Sequence, residues 1–292
     1  MYVVAGVSGN TGAATARTLI EAGERVRVLV RDAAKGEIWA RRGAEVAVAD
    51  LGDAAALTAA LSGARGAYLL NPTAYAAEDP FADAAVVADA IARAAAAARL
   101  PKLVVLSSVG ADRPSGTGII ATLRILEQRL AGIGLPVTVI RAAYFMENWA
   151  EVAGVAAAEG VLPSFLAPLD RAIPMVATAD IGRTAAEALR QDWAGQRIIA
   201  LHGPASHSPN DVAAAFARAL GKPVQAVAVP EAGWAEALSQ GGLSARSLAG
   251  VTEMMRGLNS GHVDFASDPT AEPRRGREPI ASVVAALARA GA

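Results

Sequence analysis

The chain predicts a doubly wound α/β fold, in which helices cover both faces of a parallel sheet. Three observations predict it. Short apolar runs alternate with longer alanine-rich runs through the first half. The apolar runs suit strands buried on both faces. The first of them ends in a glycine-punctuated turn, VAGVSGNTGA at Val4–Ala13, from which a helical run departs.

The elements follow in order. YVVAGV (Tyr2–Val7) reads as the first strand, and TGAATARTLIEAG as a helix starting near Thr11 and stopped by Gly23. RVRVLVR (Arg25–Arg31) is a second strand, and AAKGEIWARRG a second helix ended by Gly43. AEVAVAD closes a third strand at Asp50, DAAALTAALSG is helical, and AYLLN is a fourth strand. A long helix covers Pro80–Arg99, KLVVLSSV (Lys102–Val109) is a fifth strand, LRILEQRLAGIG is helical, and PVTVIRA (Pro136–Ala142) is a sixth strand. Ligands of such a sheet bind at the carboxyl ends of its strands.

Beyond residue 143 the rhythm loosens. TADIGRTAAEALR reads as a helix capped by Thr178, and Ser208–Asp211 has the serine, N1 proline and acidic residue of a capping-box variant. RIIALHG and VQAVAVP read as strands, Glu231–Asp268 as helix broken by glycines, and EPRRGREP as a solvated turn. The expected division is a nucleotide-binding part at 1–143 and a smaller α/β substrate lobe at 144–292, partly interleaved with the first.

Composition narrows the function. The 292 residues carry 27 Lys and Arg against 28 Asp and Glu, a net charge of −1, without the basic face of a nucleic-acid binder. There is no cysteine, hence no disulfide, thiol nucleophile or thiolate metal site. No run is long and apolar enough to span a membrane and no leader pattern opens the chain, so a cytoplasmic protein is expected. His202, His207 and His262 show no metal-ligand spacing, so no metal is expected. GVSGN is not a hydrolase elbow, because Ser8 is followed directly by Gly9.

The glycine loop points to a dinucleotide. Gly6, Ser8, Gly9, Asn10, Thr11 and Gly12 are placed to cradle a pyrophosphate, the glycines by letting backbone approach and the helix by aiming N–H groups at it. The spacing is Gly-x-x-Gly-x-x-Gly rather than Gly-x-Gly-x-x-Gly. Arg31 ends the second strand where a 2′-phosphate would lie, with Lys35 as a second cation, and so favours NADP(H); Asp32 leaves NAD(H) open. Asp50 and Leu51 suit an adenine amino group and ring face, or Asp50 caps the next helix. Asn71 and Pro72 end the fourth strand, where ribose contacts are expected.

These residues together resemble a known family. GVSGNTG, LVRD, VADLGD, LLNP, VVLSSVGA and VIRAAYFMEN follow in the order seen in the NmrA-like branch of the atypical short-chain dehydrogenases, and TADIGRTAAEAL and EMMRGLNSGHVDF extend the resemblance into the second half. It implies an extended NAD(P)-binding Rossmann fold preferring NADP(H), like the quinone reductases, triphenylmethane-dye reductases and redox-sensing regulators of that branch.

The usual catalytic Tyr and Lys of short-chain dehydrogenases are missing. Counting back from Glu127 in GIIATLRILEQ, the Lys slot falls near Leu123 and the Tyr slot near Ile119. Neither transfers a proton. Two readings fit: a reductase of quinone-like or conjugated aromatic acceptors, which need no strong protein acid, or a sensor that binds NADP(H) and reports to a protein partner. Catalytic candidates are Ser107, Ser108 and Tyr144. Ser107, Arg124, Tyr144 and Phe145 are further cofactor candidates, and Glu147 and Asn148 are read as backbone-bonding. Trp149, Phe165, Met175, Trp234, Met254 and Met255 could wall a flat apolar pocket. A small aromatic substrate is expected, a homodimer is left open, and neither nucleic acid nor membrane is an expected partner.

Overall fold

Strands β1 (Tyr2–Val4), β2 (Val26–Val30), β3 (Glu45–Val48), β4 (Gly66–Leu69), β5 (Leu103–Ser108), β6 (Val137–Ala142), β10 (Gln196–His202) and β13 (Glu272–Arg275) form one eight-stranded sheet in the computed structural model. The structure describes residues 1–239, 241–266 and 268–291. The strand order is β13-β10-β6-β5-β4-β1-β2-β3, and every pairing is parallel. The order reverses at β1, between β2 and β4, which opens a crevice above their carboxyl ends. This is the doubly wound Rossmann architecture.

Helices close both faces. On one side α1 (Asn10–Glu21) packs on α7 (Thr178–Arg190), burying Leu19, Ile181 and Leu189 against Val4, Val28 and Ile140. A Cβ on Gly182 would overlap Ala14, so this glycine sets how closely the two helices approach. On the other side α3 (Ala54–Leu61), α4 (Pro80–Ala97) and α5 (Ala121–Leu130) bury Leu57, Ile91 and Leu126 against Val3, Leu69 and Val105. Alternate residues of each central strand thus enter opposite cores, which explains their unbroken apolar character.

Two segments of the second half enlarge the main sheet. RIIALHG is β10, paired to β6. EPRRGREP, expected as a solvated turn, is instead largely β13, paired to β10 from Ile199↔Glu272 to His202↔Arg275. It is polar because it is an edge strand, paired on one side only, and needs no two-sided apolar burial. Its exit is held by Asp180, whose Oδ2 accepts from the N–H groups of Arg277 and Glu278, both at 2.9 Å.

The rest of the second half builds a separate core. β7 (Tyr144–Phe145), β9 (Ile173–Val176) and β11 (Ser206–His207) form a three-stranded sheet, and β8 (Val161–Ser164) pairs with β12 (Gln225–Ala228). Between β7 and α7 lie the 3₁₀ turn Met146–Trp149 and α6 (Ala150–Glu159). α8 (Pro209–Leu220) starts with the expected capping box, Ser208 and Asp211 bonding reciprocally around N1 Pro209. α9 (Trp234–Ser239), α10 (Ala245–Ser260) and α11 (Ile280–Gly291) complete the helices. The cap of α7 is not Thr178: the N-cap is Ala177, and Glu147 supplies the missing acceptor by taking the Thr178 N–H and hydroxyl at 2.9 and 2.7 Å. No helix among the described residues is long and apolar enough to cross a membrane.

Candidate functional site

The crevice at the switch point is a cleft of about 670 Å³ between the carboxyl ends of β1, β2, β3 and β4. Its floor is the glycine loop. Gly6 has φ +70°, a left-handed conformation that turns the chain out of β1, and its carbonyl takes the Gly9 N–H at 2.9 Å. Gly9 is the N-cap of α1 and has no side-chain cap bond, so the first N–H groups of α1 are left for a ligand. Gly12 lies behind the loop, where a Cβ would overlap the Ala5 carbonyl and the Gly6 backbone. The donor set and the close helix–strand approach fit a pyrophosphate.

The predicted cofactor residues divide. Gly6, Ser8, Gly9, Thr11, Arg31, Asp50, Leu51 and Pro72 line this cleft. Asn10 and Lys35 are exposed and stand outside its wall. Arg31 is exposed and takes no part in the ion pairs around it, while Asp32 is spent capping the 3₁₀ turn Ala33–Gly36 through the Ala34 N–H. Asp50 accepts from the Gly52 N–H at 2.8 Å; the cap of α3 is Asp53. Two residues the sequence did not single out, Val86 and Val87 of α4, wall the cleft. Val86 is 56% exposed and gives the cleft wall an apolar face.

A second cavity of about 340 Å³ continues from the cleft, sharing Leu70, Pro72 and Thr73 with it. Ser107 and Ser108 form its base at the end of β5, with Asn71 beside them and Tyr144 and Phe145 on its far side. Ile119 and Leu123, the Tyr and Lys slots, both line it and are apolar. Met254, Met255 and Leu258 of α10 close it. No Asp, Glu, Lys, Arg or His belongs to its described lining. Burial, aided by the Glu151 carboxylate and opposed by a hydrogen bond with Asn148, pushes the Tyr144 hydroxyl up to about 12, so it stays protonated. Of the expected aromatic wall, Trp149, Phe165, Met175 and Trp234 pack into the second-half core instead, because the cavity is closed from above by α10. Trp234 donates to the Val229 carbonyl at 2.8 Å.

Both serine hydroxyls have protein acceptors for their protons. Ser107 is 2% exposed and donates to Glu127 Oε1 at 2.5 Å; Ser108 donates to the Val109 carbonyl at 3.0 Å. Glu127 is gripped by the Arg141 fork, Nε to Oε1 at 3.0 Å and Nη2 to Oε2 at 2.6 Å. Arg141 also meets Asp268 at 2.5 Å and Asp112 at 3.8 Å. Glu127 entered the sequence reading only as a counting mark. The signal that could have found the pair was Arg141 itself, an arginine inside an apolar strand, which needs a buried partner. Arg124 lines neither cavity; it donates to the carbonyls of Ala111 and Asp112 at 3.3 and 2.6 Å, tying down the loop after β5. His202, His207 and His262 line neither cavity. Among the described residues no group of three or more His, Asp or Glu could hold a metal.

A match to the NmrA-like family runs over residues 2–257. The chain belongs to the NmrA-like family. Within the curated relatives, an NAD(P)H azoreductase of Xenophilus azovorans is 29% identical over 230 residues, 78% of this chain and 77% of that one. Quinone oxidoreductase 2 of Escherichia coli is 27% identical over 245 residues, 83% and 82% of the two chains. In structure, an NADPH-dependent quinone oxidoreductase of Escherichia coli complexed with NADPH superposes with a TM-score of 0.79 at 25% identity, covering 98% of this chain and 99% of that one. This NmrA-like chain therefore carries the family fold from end to end.

Proposed function

We propose that this NmrA-like chain, an NAD(P)H-dependent reductase, passes hydride to a quinone-like or other conjugated aromatic acceptor without a Tyr/Lys pair. One observation carries the reading: an apolar cavity, with Ile119 and Leu123 in its lining, adjoins the cleft above the glycine loop. The reductase activities of the azo-dye and quinone relatives support it.

In this reading Gly6, Ser8, Gly9 and Thr11 hold the pyrophosphate, Arg31 the 2′-phosphate of NADPH, Leu51 and Val86 the adenine, and the nicotinamide reaches the second cavity. When bound, the cofactor supplies a hydride. The chain's own task is to hold the acceptor ring flat over it, between Tyr144, Phe145 and Met254, and to keep bulk water from the transfer path. A quinone or dye that gains hydride becomes a stabilised anion or a neutral leuco form and takes any proton it needs from water at the cavity mouth, so no side-chain acid is required. Residues 1–143 supply the cofactor cleft and part of the second cavity, which residues 144–292 complete.

The test is oxidation of NADPH and of NADH by the purified protein against a panel of quinones, azo dyes and cationic triphenylmethane dyes, followed by nicotinamide absorbance. Turnover on ring acceptors with NADPH preferred is expected. Tight binding of NADPH and NADP⁺ with no turnover on any acceptor would replace the reading with a redox-sensing role through a protein partner.

A further inference from the structure

We infer that Ser107 serves the second cavity as a hydrogen-bond acceptor, locked in that polarity by the Glu127–Arg141 pair, and that it receives an N–H of the nicotinamide carboxamide. The inference rests on the proposed cofactor placement and adds the direction of the hydrogen bond at its reactive end.

A hydroxyl has one proton and two lone pairs. The Ser107 proton is committed to Glu127 Oε1 at 2.5 Å, in a site where the serine is 2% exposed. Both Glu127 oxygens already accept from the Arg141 fork, so the group is an ion-paired carboxylate and can only accept. Ser107 therefore offers lone pairs alone to the cavity it lines.

Asn71, on the same cavity wall, says the same thing independently. Its Nδ2 donates to the Ala84 carbonyl at 2.9 Å, which fixes the amide orientation, because the flipped amide would set oxygen against oxygen. Its Oδ1 is then buried with no hydrogen-bond partner. A buried acceptor without a donor is costly, and one at a cavity wall marks where a ligand donor belongs. Two acceptors on one wall, with the Ser108 proton already bonded to the Val109 carbonyl, suit a ligand carrying an N–H pair. The primary amide of nicotinamide is such a group. Ser107 is thus a binding residue and Glu127 a positioning residue. Neither is a source of the proton that an acceptor takes up.

The test uses two nucleotides that differ only in that group: NADPH and its reduced 3-acetylpyridine analogue, which keeps the carbonyl and lacks the N–H pair. Dissociation constants would be measured by fluorescence titration for the wild type, Ser107→Ala and Glu127→Met, each first checked by thermal melting. The wild type should bind NADPH about tenfold more tightly than the analogue, the worth of one such bond. Ser107→Ala should lower the ratio several-fold by weakening NADPH alone, leaving what the Asn71 acceptor contributes. Glu127→Met removes the acceptor of the Ser107 proton and frees it for the cavity, while Asp268 still pairs Arg141. It should lower the ratio while tightening the analogue, a change that loss of packing would not produce. Should Glu127→Met fail to fold, the Ser107→Ala ratio still decides. Equal binding of both nucleotides by the wild type, or a ratio untouched by Ser107→Ala, overturns the polarity assignment and leaves the cofactor reading standing. Failure of the wild type to bind either nucleotide brings down both.

Discussion

The two cavities of this protein are built by different means. The floor of the cleft over the glycine loop is made of backbone from consecutive residues: a left-handed Gly6, an uncapped helix start at Gly9 and a Cβ-free Gly12. The second cavity is made of side chains from β5, β7, α5 and α10, about 150 residues apart in the chain, and holds no charged group in its described lining. The first construction fixes what binds through geometry that one substitution can destroy. The second sets only shape and polarity, and tolerates change. Cofactor and acceptor specificity should therefore respond to mutation on different scales.

The largest effect is expected at Gly12→Ala. Its Cβ would overlap the Ala5 carbonyl and the Gly6 backbone, which cannot move without displacing β1 or α1. A loss of about 3 kcal/mol in stability is expected, with cofactor binding abolished; chemical denaturation and nucleotide titration measure both. A well-folded variant with full affinity would break the contrast.

Arg31→Ala comes next. In the proposed reading the exposed guanidinium, which lines the cleft, holds the 2′-phosphate, so NADPH affinity should fall about tenfold and NADH affinity stay unchanged, as for one hydrogen-bonded charge. Equal losses for both nucleotides would move the 2′-phosphate site elsewhere.

Met254→Ala should act on the acceptor alone. It trims one wall of the second cavity from α10, and a rise of about threefold to tenfold in acceptor KM is expected with NADPH binding intact. A matching loss of NADPH affinity would show that the two cavities are not separable.

The smallest effect lies outside both. His207 Nε2 is buried without a hydrogen-bond partner, and burial holds its pKa below the ordinary 6.5, with Asp211 opposing. The unfolded chain then binds the proton more readily, so stability is full above about pH 6.5 and falls as pH drops through the lowered folded value. His207→Gln should flatten that acid slope by less than about 1 kcal/mol without moving the NADPH dissociation constant; an unchanged slope would assign the acid sensitivity to another group.

How much of this was legible follows the same contrast. The six strands to Ala142 and the glycine turn after β1 could be read because each is a local pattern: an apolar run or a turn residue. EPRRGREP was misread because an edge strand carries no apolar signature, and Thr178 because its cap comes from Glu147, 31 residues away. Arg124 carried a charge that suited a phosphate, yet the loop carbonyls nearest to it claim it. Trp149 and Trp234 had the chemistry of a pocket wall, and α10 took that place.

The sequence by itself determined the alternation of strand and helix and the glycine turn after β1, since each depends on residues adjacent in the chain or one helical turn apart. Only the tertiary structure decided that β10 and β13 complete the main sheet, that α10 lines the second cavity, and that the Ser107 proton points into Glu127. Those outcomes depend on which distant groups meet in a low-dielectric interior, where every buried charge and hydrogen-bond donor must find its partner.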